Sequence, residues 1–273
     1  MTKFADLHIH TNYSDSTLSA SEVVDESIKN GLSCIAITDH DTVEGIGFVK
    51  KAALGKNLEV IPGIELSSEY SNQEIHILGY LVDCESDSFL QKLIKMQEVR
   101  VKRIKLILDK LKQVGIDHIE PEEICALSKS NSVGRPHVAA ILQQKGWVSD
   151  AKQAFEKYLA EGACAYVEKY QQTPYEAIKF IRDAGGVAVL AHPMITQRDE
   201  LIPSFVEAGL QGIEVYYPNY SPSVIDYYAN IAKKHNLLLT GGSDAHGEAK
   251  TNTFIGRIKI PYELVEKLKA LKE

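Results

Sequence analysis

Cysteine is scarce in this chain of 273 residues. The four cysteines, Cys34, Cys84, Cys125 and Cys164, lie far apart, and none has the C-x-x-C spacing of a zinc or redox site. This argues against a disulfide framework and against a cysteine-based metal site. We expect reduced, structural thiols, which are typical of an intracellular protein.

Long apolar runs and an excess of basic residues are also missing. No apolar run approaches the ~20 residues that a membrane span requires, and we find no charged leader followed by an apolar segment, as in a signal peptide. The formal net charge of −7 argues against a broad basic surface for long duplex nucleic acid. A few local cations could still hold a short nucleotide. We therefore expect a cytoplasmic protein with no membrane partner, and the oligomeric state is not predicted.

The composition is that of a globular protein, and its pattern is that of an α/β fold. The chain is 44% hydrophobic and 25% charged, which is ordinary for a protein with a substantial core. Short apolar strands end in polar clusters and are followed by helices, both before residue 86 and after residue 165. This alternation predicts a largely parallel sheet or barrel.

The stretch between these two parts has a different pattern. Apolar residues fall at helical spacing over residues 87–114, and lysine and arginine side chains on the other face are interpreted as solvent-exposed. Shorter helical segments follow as far as residue 161. We therefore predict a catalytic barrel formed by residues 1–85 and 166–273, with residues 86–165 as a helical insertion.

Histidine and acidic residues recur where the predicted strands end. His8 and His10 are two residues apart, so on an extended backbone their side chains point to the same side. In parallel α/β folds, sites are built at the carboxyl ends of the strands. The side chains that we expect to converge there are those of His8, His10, Asp15, His40, Glu65, His76, His192, Asp244 and His246.

Such a convergence of imidazoles and carboxylates indicates divalent metal ions. Without cations, the clustered groups would repel one another or stay unsatisfied. A ligand set of histidine, aspartate and glutamate suits Mn²⁺, Fe²⁺ or Zn²⁺ better than Ca²⁺, which prefers oxygen ligands alone. The set is too large for one ion, so two or three ions fit, and Glu65 could bridge two of them. Clustered ions ~3.5–4 Å apart are used for phosphoester hydrolysis.

The motifs that carry these residues resemble those of the PHP (polymerase and histidinol phosphatase) family of metal-dependent phosphoesterases. The matching stretches are Asp6-Leu7-His8-Ile9-His10-Thr11 with Ser14-Asp15, Thr38-Asp39-His40, Gly63-Ile64-Glu65, His76-Ile77-Leu78-Gly79-Tyr80, Ala191-His192-Pro193 and Gly242-Ser243-Asp244-Ala245-His246-Gly247. They follow the family's order from one end of the chain to the other. One departure is Ser16, where the family usually has glycine. The resemblance implies a distorted (β/α)₇ barrel and a trinuclear metal site.

The resemblance also implies which residues share an ion. One ion would be held by His8, His10, Glu65 and Asp244, a second by Glu65, His76 and His192, and a third by Asp15, His40 and His246. We expect Mn²⁺, with Fe²⁺ or Zn²⁺ as alternatives, and a metal-activated hydroxide as the group that attacks phosphorus. Asp39, next to His40, could orient a metal ligand from behind.

The insertion carries the residues that we expect to hold the substrate. Arg135 lies at a predicted helix N-terminus, where backbone N–H groups and the helix dipole also favour anions. Ser132 and His137 flank it, and Lys169 could reach in from the segment that leaves the insertion. With this stretch, the chain resembles the subgroup that includes nucleoside 3′,5′-bisphosphate phosphatases and a 5′→3′ exonuclease that acts on short RNA. Tyr217 and Asn219, just past a strand end, are further candidates for lining the site.

These observations predict a phosphoesterase that acts on a small nucleotide such as adenosine 3′,5′-bisphosphate, or on a short 5′-phosphorylated oligonucleotide. Histidinol phosphate and a DNA end are alternative substrates within the same family. Amide or C–N hydrolysis is an alternative chemistry, against which a third ion and an anion pocket at Arg135 would argue. A non-catalytic metal-binding module is a further alternative, which the complete ligand set disfavours.

Overall fold

A single mixed sheet forms the centre of the molecule in the computed structural model, which describes residues 2–168, 172–250 and 253–272. Its strands are β1 (Phe4–Ile9), β2 (Cys34–Ile37), β3 (Glu59–Tyr70), β4 (Gln73–Tyr80), β5 (Val187–Leu190), β6 (Gly212–Tyr216), β7 (Leu238–Gly241) and β8 (Ile260–Pro261). Their spatial order is β7-β6-β5-β4-β3-β2-β1-β8, so the first seven strands lie beside their neighbours in the sequence.

The sheet curls until its first and seventh strands nearly meet. The backbone N–H of His10 donates to the Ala245 carbonyl just past β7, at 3.1 Å. A Cβ atom on Gly242 would lie 2.3 Å from the His8 backbone nitrogen, so only glycine allows this approach. The seven strands β1 to β7 therefore form a nearly closed barrel, which confirms the predicted distorted (β/α)₇ fold. The short β8 pairs antiparallel with the outer side of β1.

The pairing of β3 with β4 departs from the predicted alternation. β3 continues past Glu65 to Tyr70 and turns back directly into an antiparallel β4. Ser71 and Asn72 form the tight turn with φ of 51° and 61°, which is the backbone that a two-residue hairpin requires. β4 is also antiparallel to β5, so one antiparallel strand separates two parallel groups.

Helices surround the sheet and extend from it. They are α1 (Ala20–Lys29), α2 (Glu44–Ala52), α3 (Asp87–Gln113), α4 (Pro121–Cys125), α5 (Arg135–Gln144), α6 (Ala151–Ala154), α7 (Pro174–Asp183), α8 (Pro193–Thr196), α9 (Ile202–Glu207), α10 (Pro222–Lys234) and α11 (Tyr262–Ala270). Capping boxes begin α1 and α7, with Ser19 bound to Glu22 and Thr173 bound to Glu176. None of the described helices combines the length and apolar character that crossing a bilayer requires.

Helices α3 to α6, between β4 and α7, have a hydrophobic cluster of their own. Ile107, Leu111, Val138 and Leu142 are buried in it, apart from the clusters of the barrel. The 27-residue helix α3 contributes to both sides, because Phe89 near its start is buried in a barrel cluster. One continuous helix thus links the two parts. The insertion boundaries at residues 86 and 165 stay a prediction.

Candidate functional site

The carboxylate of Glu65, on β3, lies at the centre of the strand-end side chains. Its Oε2 atom is 3.2 Å from Nε2 of His8 and 3.2 Å from Nε2 of His10. Its Oε1 atom is 2.8 Å from Nδ1 of His76 and 3.0 Å from Nε2 of His192. The carboxylate is buried, so both of its oxygens face imidazoles rather than water.

Asp15 extends the cluster on the side of β2. Its Oδ1 atom is 3.2 Å from Nε2 of His246, and its Oδ2 atom is 3.7 Å from Nε2 of His40. His40 also approaches Glu65, with its Nδ1 atom 3.3 Å from Oε2. All the predicted ligands named so far therefore lie in one group.

Asp244 presents its two carboxylate oxygens to different surroundings. Oδ1 lies 3.5 Å from Nε2 of His8 and 3.3 Å from Nε2 of His10. Oδ2 accepts a hydrogen bond from the Tyr217 hydroxyl at 2.6 Å and contacts the ammonium of Lys250. Oδ2 is thus engaged, and Oδ1 is the atom that faces the cluster. Tyr217 was a candidate from the sequence, whereas Lys250 was missed.

Three groups of these residues could each hold an ion, with their ligand atoms within 4.8 Å of one another. They are His8, His10, Glu65 and Asp244; His10, Asp15, His40 and His246; and His40, Glu65 and His76. The first group matches the expected set. The other two differ from it, because His10 joins the Asp15 group and His40 takes the place of His192 beside Glu65 and His76. We refer to all nine residues, His192 included, as the strand-end cluster.

The donor atoms of this cluster fit metal ions better than they fit one another. Several of these atoms lie close to one another without the angle of a hydrogen bond. Among the described residues, neither ring nitrogen of His10 has a hydrogen-bond partner, and neither does Nδ1 of His40, Nδ1 of His192 or Oδ1 of Asp15. Buried polar atoms without partners are rare in native proteins because leaving them unsatisfied is unfavourable. A divalent cation would satisfy such nitrogen and oxygen atoms together.

The charges in the cluster favour ionised carboxylates, and the same carboxylates outweigh burial and raise the pKa of His10 to about 9 and that of His76 to about 10. An ion bound there would therefore displace protons from these two rings. Burial alone would raise the pKa of the Glu65 carboxyl, but the imidazoles of His40, His76 and His8 hold that pKa well below its usual range. The pKa of Asp15 is likewise low because His246 and His40 outweigh its burial. Burial lowers the pKa of His40 to about 3. Ionised carboxylates and neutral imidazoles are the forms that bind metals.

Two members of the cluster hold an uncommon backbone conformation. His192 has φ of 27° and Asp244 has φ of 48°, in the left-handed region that residues other than glycine rarely adopt. Each lies within a few residues of the carboxyl end of a barrel strand, His192 after β5 and Asp244 after β7. Such strain persists where the surrounding structure dictates it, and it is concentrated at functional sites.

Glu214 on β6 supports the cluster and was not found from the sequence. Its Oε1 atom lies 2.9 Å from Nδ1 of His8, and its Oε2 atom accepts the His192 backbone N–H at 2.9 Å. A carboxylate behind an imidazole orients the ring and increases its basicity toward a metal. A signal was available in the sequence, because Glu214 is the lone charge in the apolar strand Gly212–Tyr216. The structure shows that it is fully buried.

Asp39 makes its hydrogen bonds to a loop that joins two members of the cluster. Its carboxylate accepts hydrogen bonds from the backbone and hydroxyl of Thr11 at 2.7 and 2.6 Å, and from the Ser14 hydroxyl at 2.6 Å. These bonds tie down the loop between His10 and Asp15. The same loop carries Asp15, one of the predicted ligands. That Asp39 orients a metal ligand stays a prediction.

Three arginines of the insertion face the cluster across a cavity of about 150 Å³. Arg100, Arg103 and Arg135 line one side of it, and Asp15, His40 and His76 are among the residues that line the other. Arg135 begins α5, as expected. Burial, together with the charge of Arg135, lowers the pKa of Arg103 to about 10. We call Arg100, Arg103 and Arg135 the arginine pocket.

Arg100 corrects the interpretation of the charged face of α3. Its side chain is only 11% exposed, rather than solvated. Its Nε atom donates to the carboxylate of Asp41 at 2.8 Å, and its guanidinium also reaches the Ser67 hydroxyl at 3.0 Å and the Val133 carbonyl at 3.1 Å. The sequence signal, two arginines three residues apart on one helix, does not distinguish a pocket from a solvated surface.

Ser132 and His137 join the insertion to the strand-end loops. The Ser132 hydroxyl donates to the backbone carbonyl of His40. Nε2 of His137 donates to the Ser14 carbonyl at 2.9 Å, and its Nδ1 accepts the Gly134 N–H at 3.0 Å. Both residues line the 150 Å³ cavity, but both ring nitrogens of His137 are engaged with backbone groups. Their predicted contact with substrate stays a prediction.

Lys169 and Asn219 are the two remaining candidates from the sequence. Lys169 lies outside the described residues. Asn219 accepts a hydrogen bond from Arg257 at 2.7 Å and is not among the described residues that line either cavity at the cluster.

A second, larger cleft of about 840 Å³ opens beside the arginine pocket. The strand-end residues Asp15, His40, Glu65, His76, His192, Asp244 and His246 line one side. The insertion supplies mostly apolar side chains, those of Leu127, Pro136, Ala140, Ala151 and Phe155, together with the polar His137 and Gln143. The cleft is therefore polar toward the barrel and mostly apolar toward the insertion.

Comparison with known proteins agrees with this arrangement. The PHP domain model matches residues 6–168. The chain is 34% identical to the 5′-3′ exoribonuclease Rnm of Escherichia coli, over 88% of this chain and 84% of that protein. It is 30% identical to the 3′,5′-nucleoside bisphosphate phosphatase of Chromobacterium violaceum, over 92% and 90%. A crystal structure from Bifidobacterium adolescentis is 28% identical and superposes with a TM-score of 0.89, covering 97% of this chain and 95% of that one.

Proposed function

This chain belongs to the PHP family of metal-dependent phosphoesterases, and we propose that it acts on small nucleotides that carry two phosphate groups. The class of substrate is a nucleoside 3′,5′-bisphosphate such as adenosine 3′,5′-bisphosphate, or a short 5′-phosphorylated oligonucleotide. The relatives from Chromobacterium violaceum and Escherichia coli, named for these two activities, support the proposal.

The arginine pocket is the observation that carries this proposal. Arg100, Arg103 and Arg135 share a cavity with Asp15 and His40, so an anion held by the guanidinium groups lies next to the strand-end cluster. Arginine is the residue best suited to bidentate recognition of phosphate. A substrate with one phosphate at the cluster and another at the pocket would use both sides.

We propose that the strand-end cluster holds two or three divalent ions, with Mn²⁺ as the expected metal. The buried donor atoms of His10, His40 and Asp15 that lack hydrogen-bond partners support this assignment. Bound there, such ions would lower the pKa of coordinated water and neutralise charge that develops on phosphoryl oxygens.

The chain's own residues then orient the reacting groups. Glu214 holds the imidazole of His8 from behind. Tyr217 and Lys250 engage Oδ2 of Asp244 and leave Oδ1 toward the cluster. The arginine pocket holds the non-reacting phosphate, so the reacting phosphate is positioned by a contact made at the other end of the substrate.

The substrate proposal is tested by comparing three compounds. Mn²⁺-loaded protein is assayed with adenosine 3′,5′-bisphosphate, with a short 5′-phosphorylated RNA and with histidinol phosphate. We expect turnover of the first two to exceed that of histidinol phosphate. Turnover of histidinol phosphate alone would contradict the proposal.

The variant Arg135→Ala tests whether the arginine pocket binds the non-reacting phosphate. We expect KM for adenosine 3′,5′-bisphosphate to rise about tenfold or more, because a hydrogen bond to a charged group contributes about 1.5–3 kcal/mol. KM for adenosine 5′-monophosphate should change little, since that substrate leaves the pocket unused. Steady-state kinetics measure both, with Lys102→Ala, an exposed position on α3, as the matched control. An equal effect on both substrates would remove the role assigned to Arg135.

A further inference from the structure

We propose that Phe155 is the surface on which the nucleobase of the substrate stacks. The inference rests on the proposed function and adds a contact for the part of the substrate that carries no phosphate. Phe155 is half-buried at the end of α6 in the insertion.

The position of the Phe155 ring is the first observation. Phe155 lines the 150 Å³ cavity of the arginine pocket and also the 840 Å³ cleft beside the strand-end cluster. Its side chain therefore lies between the proposed site of one phosphate and the larger space next to it. A substrate that fills both cavities would lie next to this ring, at a boundary that Phe155 shares with Pro136 and His137 on the side of the insertion.

The contact between Phe155 and Arg135 is the second observation. The guanidinium carbon of Arg135 lies 5.6 Å from the centre of the Phe155 ring and 5.8 Å from that of Tyr166. One side of the Phe155 ring thus adjoins the cation that is proposed to hold a phosphate. A base joined to that phosphate through one sugar would reach the ring without leaving the cleft.

One turn of the backbone carries the Phe155 ring and contacts the Arg135 guanidinium. Residues Phe155–Leu159 form a π-helical turn, and the Ala160 N–H donates to the Phe155 carbonyl at 2.8 Å. The Leu159 carbonyl, at the other end of the turn, accepts a hydrogen bond from Arg135 at 3.3 Å. Single π-helical turns are uncommon and occur frequently at functional sites. Here one such turn carries the ring and also orients the cation.

The other aromatic ring in the cleft is already engaged. Apart from histidines, Phe155 and Tyr217 are the aromatic side chains among the described residues that line the cleft. The Tyr217 hydroxyl donates to Asp244, and its ring lies 5.6 Å from that of His192 and 5.3 Å from that of Tyr220. Phe155 also has neighbours, Arg135 and the hydrophobic cluster of the insertion, but its half-buried side chain borders the cleft on the apolar side and is the aromatic group that we assign to the ligand.

This geometry defines the ligand as a flat aromatic group attached to a phosphorylated sugar. Stacking on an aromatic side chain tolerates every base because each base has a π face. We therefore expect Phe155 to favour nucleotides over base-free sugar phosphates, with little preference among the four bases.

The test compares substrates with and without a base. KM is measured for adenosine 3′,5′-bisphosphate and for the abasic tetrahydrofuran 3,5-bisphosphate, which has the same two phosphates. Phe155→Ala should raise KM for the nucleotide about tenfold, as expected for the loss of one stacked base, and leave KM for the abasic compound nearly unchanged. Phe155→Trp should restore the nucleotide KM, whereas Phe155→Leu should not. Phe48→Ala, at an aromatic residue 55% exposed on α2, is the matched control.

The outcomes separate this inference from the proposed function. If Phe155→Ala raises KM equally for both compounds, or if Leu restores binding as well as Trp, the ring only packs and the inference is wrong while bisphosphate hydrolysis stands. If the wild-type protein turns over neither bisphosphate, the proposed function fails and the stacking role fails with it. Thermal unfolding of each variant identifies a loss of folding, for which the Trp variant provides the folded comparison.

Discussion

The barrel and the helical insertion contribute different chemistry to the same space. The barrel contributes imidazoles and carboxylates that follow its strands, with Glu65 buried at their centre. The insertion contributes guanidinium groups and apolar side chains, such as Arg135 and Phe155, on partly exposed helices. One side is suited to hold cations and the other to hold anions and bases. The difference suggests that the barrel supplies the reaction and the insertion selects the substrate.

The two regions are joined by polar contacts close to the site. Arg100 of the insertion binds Asp41, the residue that follows His40 in the chain. His137 donates to the carbonyl of Ser14, the residue that precedes Asp15. Contacts next to two candidate ligands hold the arginine pocket at a set distance from the strand-end cluster. Such a spacing would select substrates by the separation of their phosphates.

The largest effect is expected when the barrel side loses its central carboxylate. Glu65→Gln removes a charge that faces five imidazoles of the cluster. Even groups hydrogen-bonded to metal ligands contribute about 10- to 100-fold, so we expect a loss of activity beyond about 1000-fold and fewer bound ions per chain. Elemental analysis and phosphatase assays measure the two effects.

The matched control for this variant is Glu263→Gln, at an exposed position on α11. It should keep the wild-type metal content and activity. Full metal content in Glu65→Gln would show that this carboxylate does not hold the ions. The assignment of cation binding to the barrel side would then be wrong.

The next largest effect should come from removing the contact between Arg100 of the insertion and Asp41 of the barrel. Arg100→Ala leaves the buried Asp41 carboxylate without its guanidinium, and breaking such a pair typically destabilises a protein by about 3–5 kcal/mol. Urea unfolding gives the change in the free energy of unfolding. Lys105→Ala, at an exposed position on the same helix, should change it by less than about 0.5 kcal/mol. A similar value for both variants would mean that Arg100 does not hold the insertion in place.

A smaller effect is expected from the support behind the cluster. Glu214→Gln keeps the shape of the side chain but removes the charge 2.9 Å from Nδ1 of His8. Metal affinity or activity should fall about 10- to 100-fold, because outer partners of this kind orient the ligand without touching the ion. Metal titration measures the affinity, and Glu207→Gln, exposed on α9, is the control. An unchanged metal affinity would show that Glu214 does not orient His8 toward a metal and only stabilises the barrel.

Much of the barrel side could be predicted from the sequence. A strand is recognisable from its apolar run, and a polar residue directly after it is placed at the sheet edge by the period of the backbone. His40 and His192 were found in this way, and so were His8 and Glu65, although the structure places these two within β1 and β3. The predictions of a distorted barrel and a metal-dependent phosphoesterase are confirmed. Arg135 was found because a proline follows it at a helix start.

The missed residues have no such marker in the sequence. Arg100 and Arg103 are on a long charged helix, and helical period alone does not say which charged face meets another part of the protein. Lys250 is in a loop with no regular spacing, and Glu214 required knowing that β6 passes behind His8. The β3–β4 hairpin was missed because its turn residues, Ser71 and Asn72, adopt positive φ without glycine.

The sequence by itself determined which side chains stand at the ends of strands, because the two-residue period of a strand and the alternation of strands with helices are local properties. Only the tertiary structure decided which of those side chains lie close enough together to share an ion, and that Arg100 and Arg103 accompany Arg135 in one pocket. The physical reason is distance along the chain. Contacts such as that of His8 with Glu214, 206 residues apart, arise from barrel closure and packing, which no local pattern encodes.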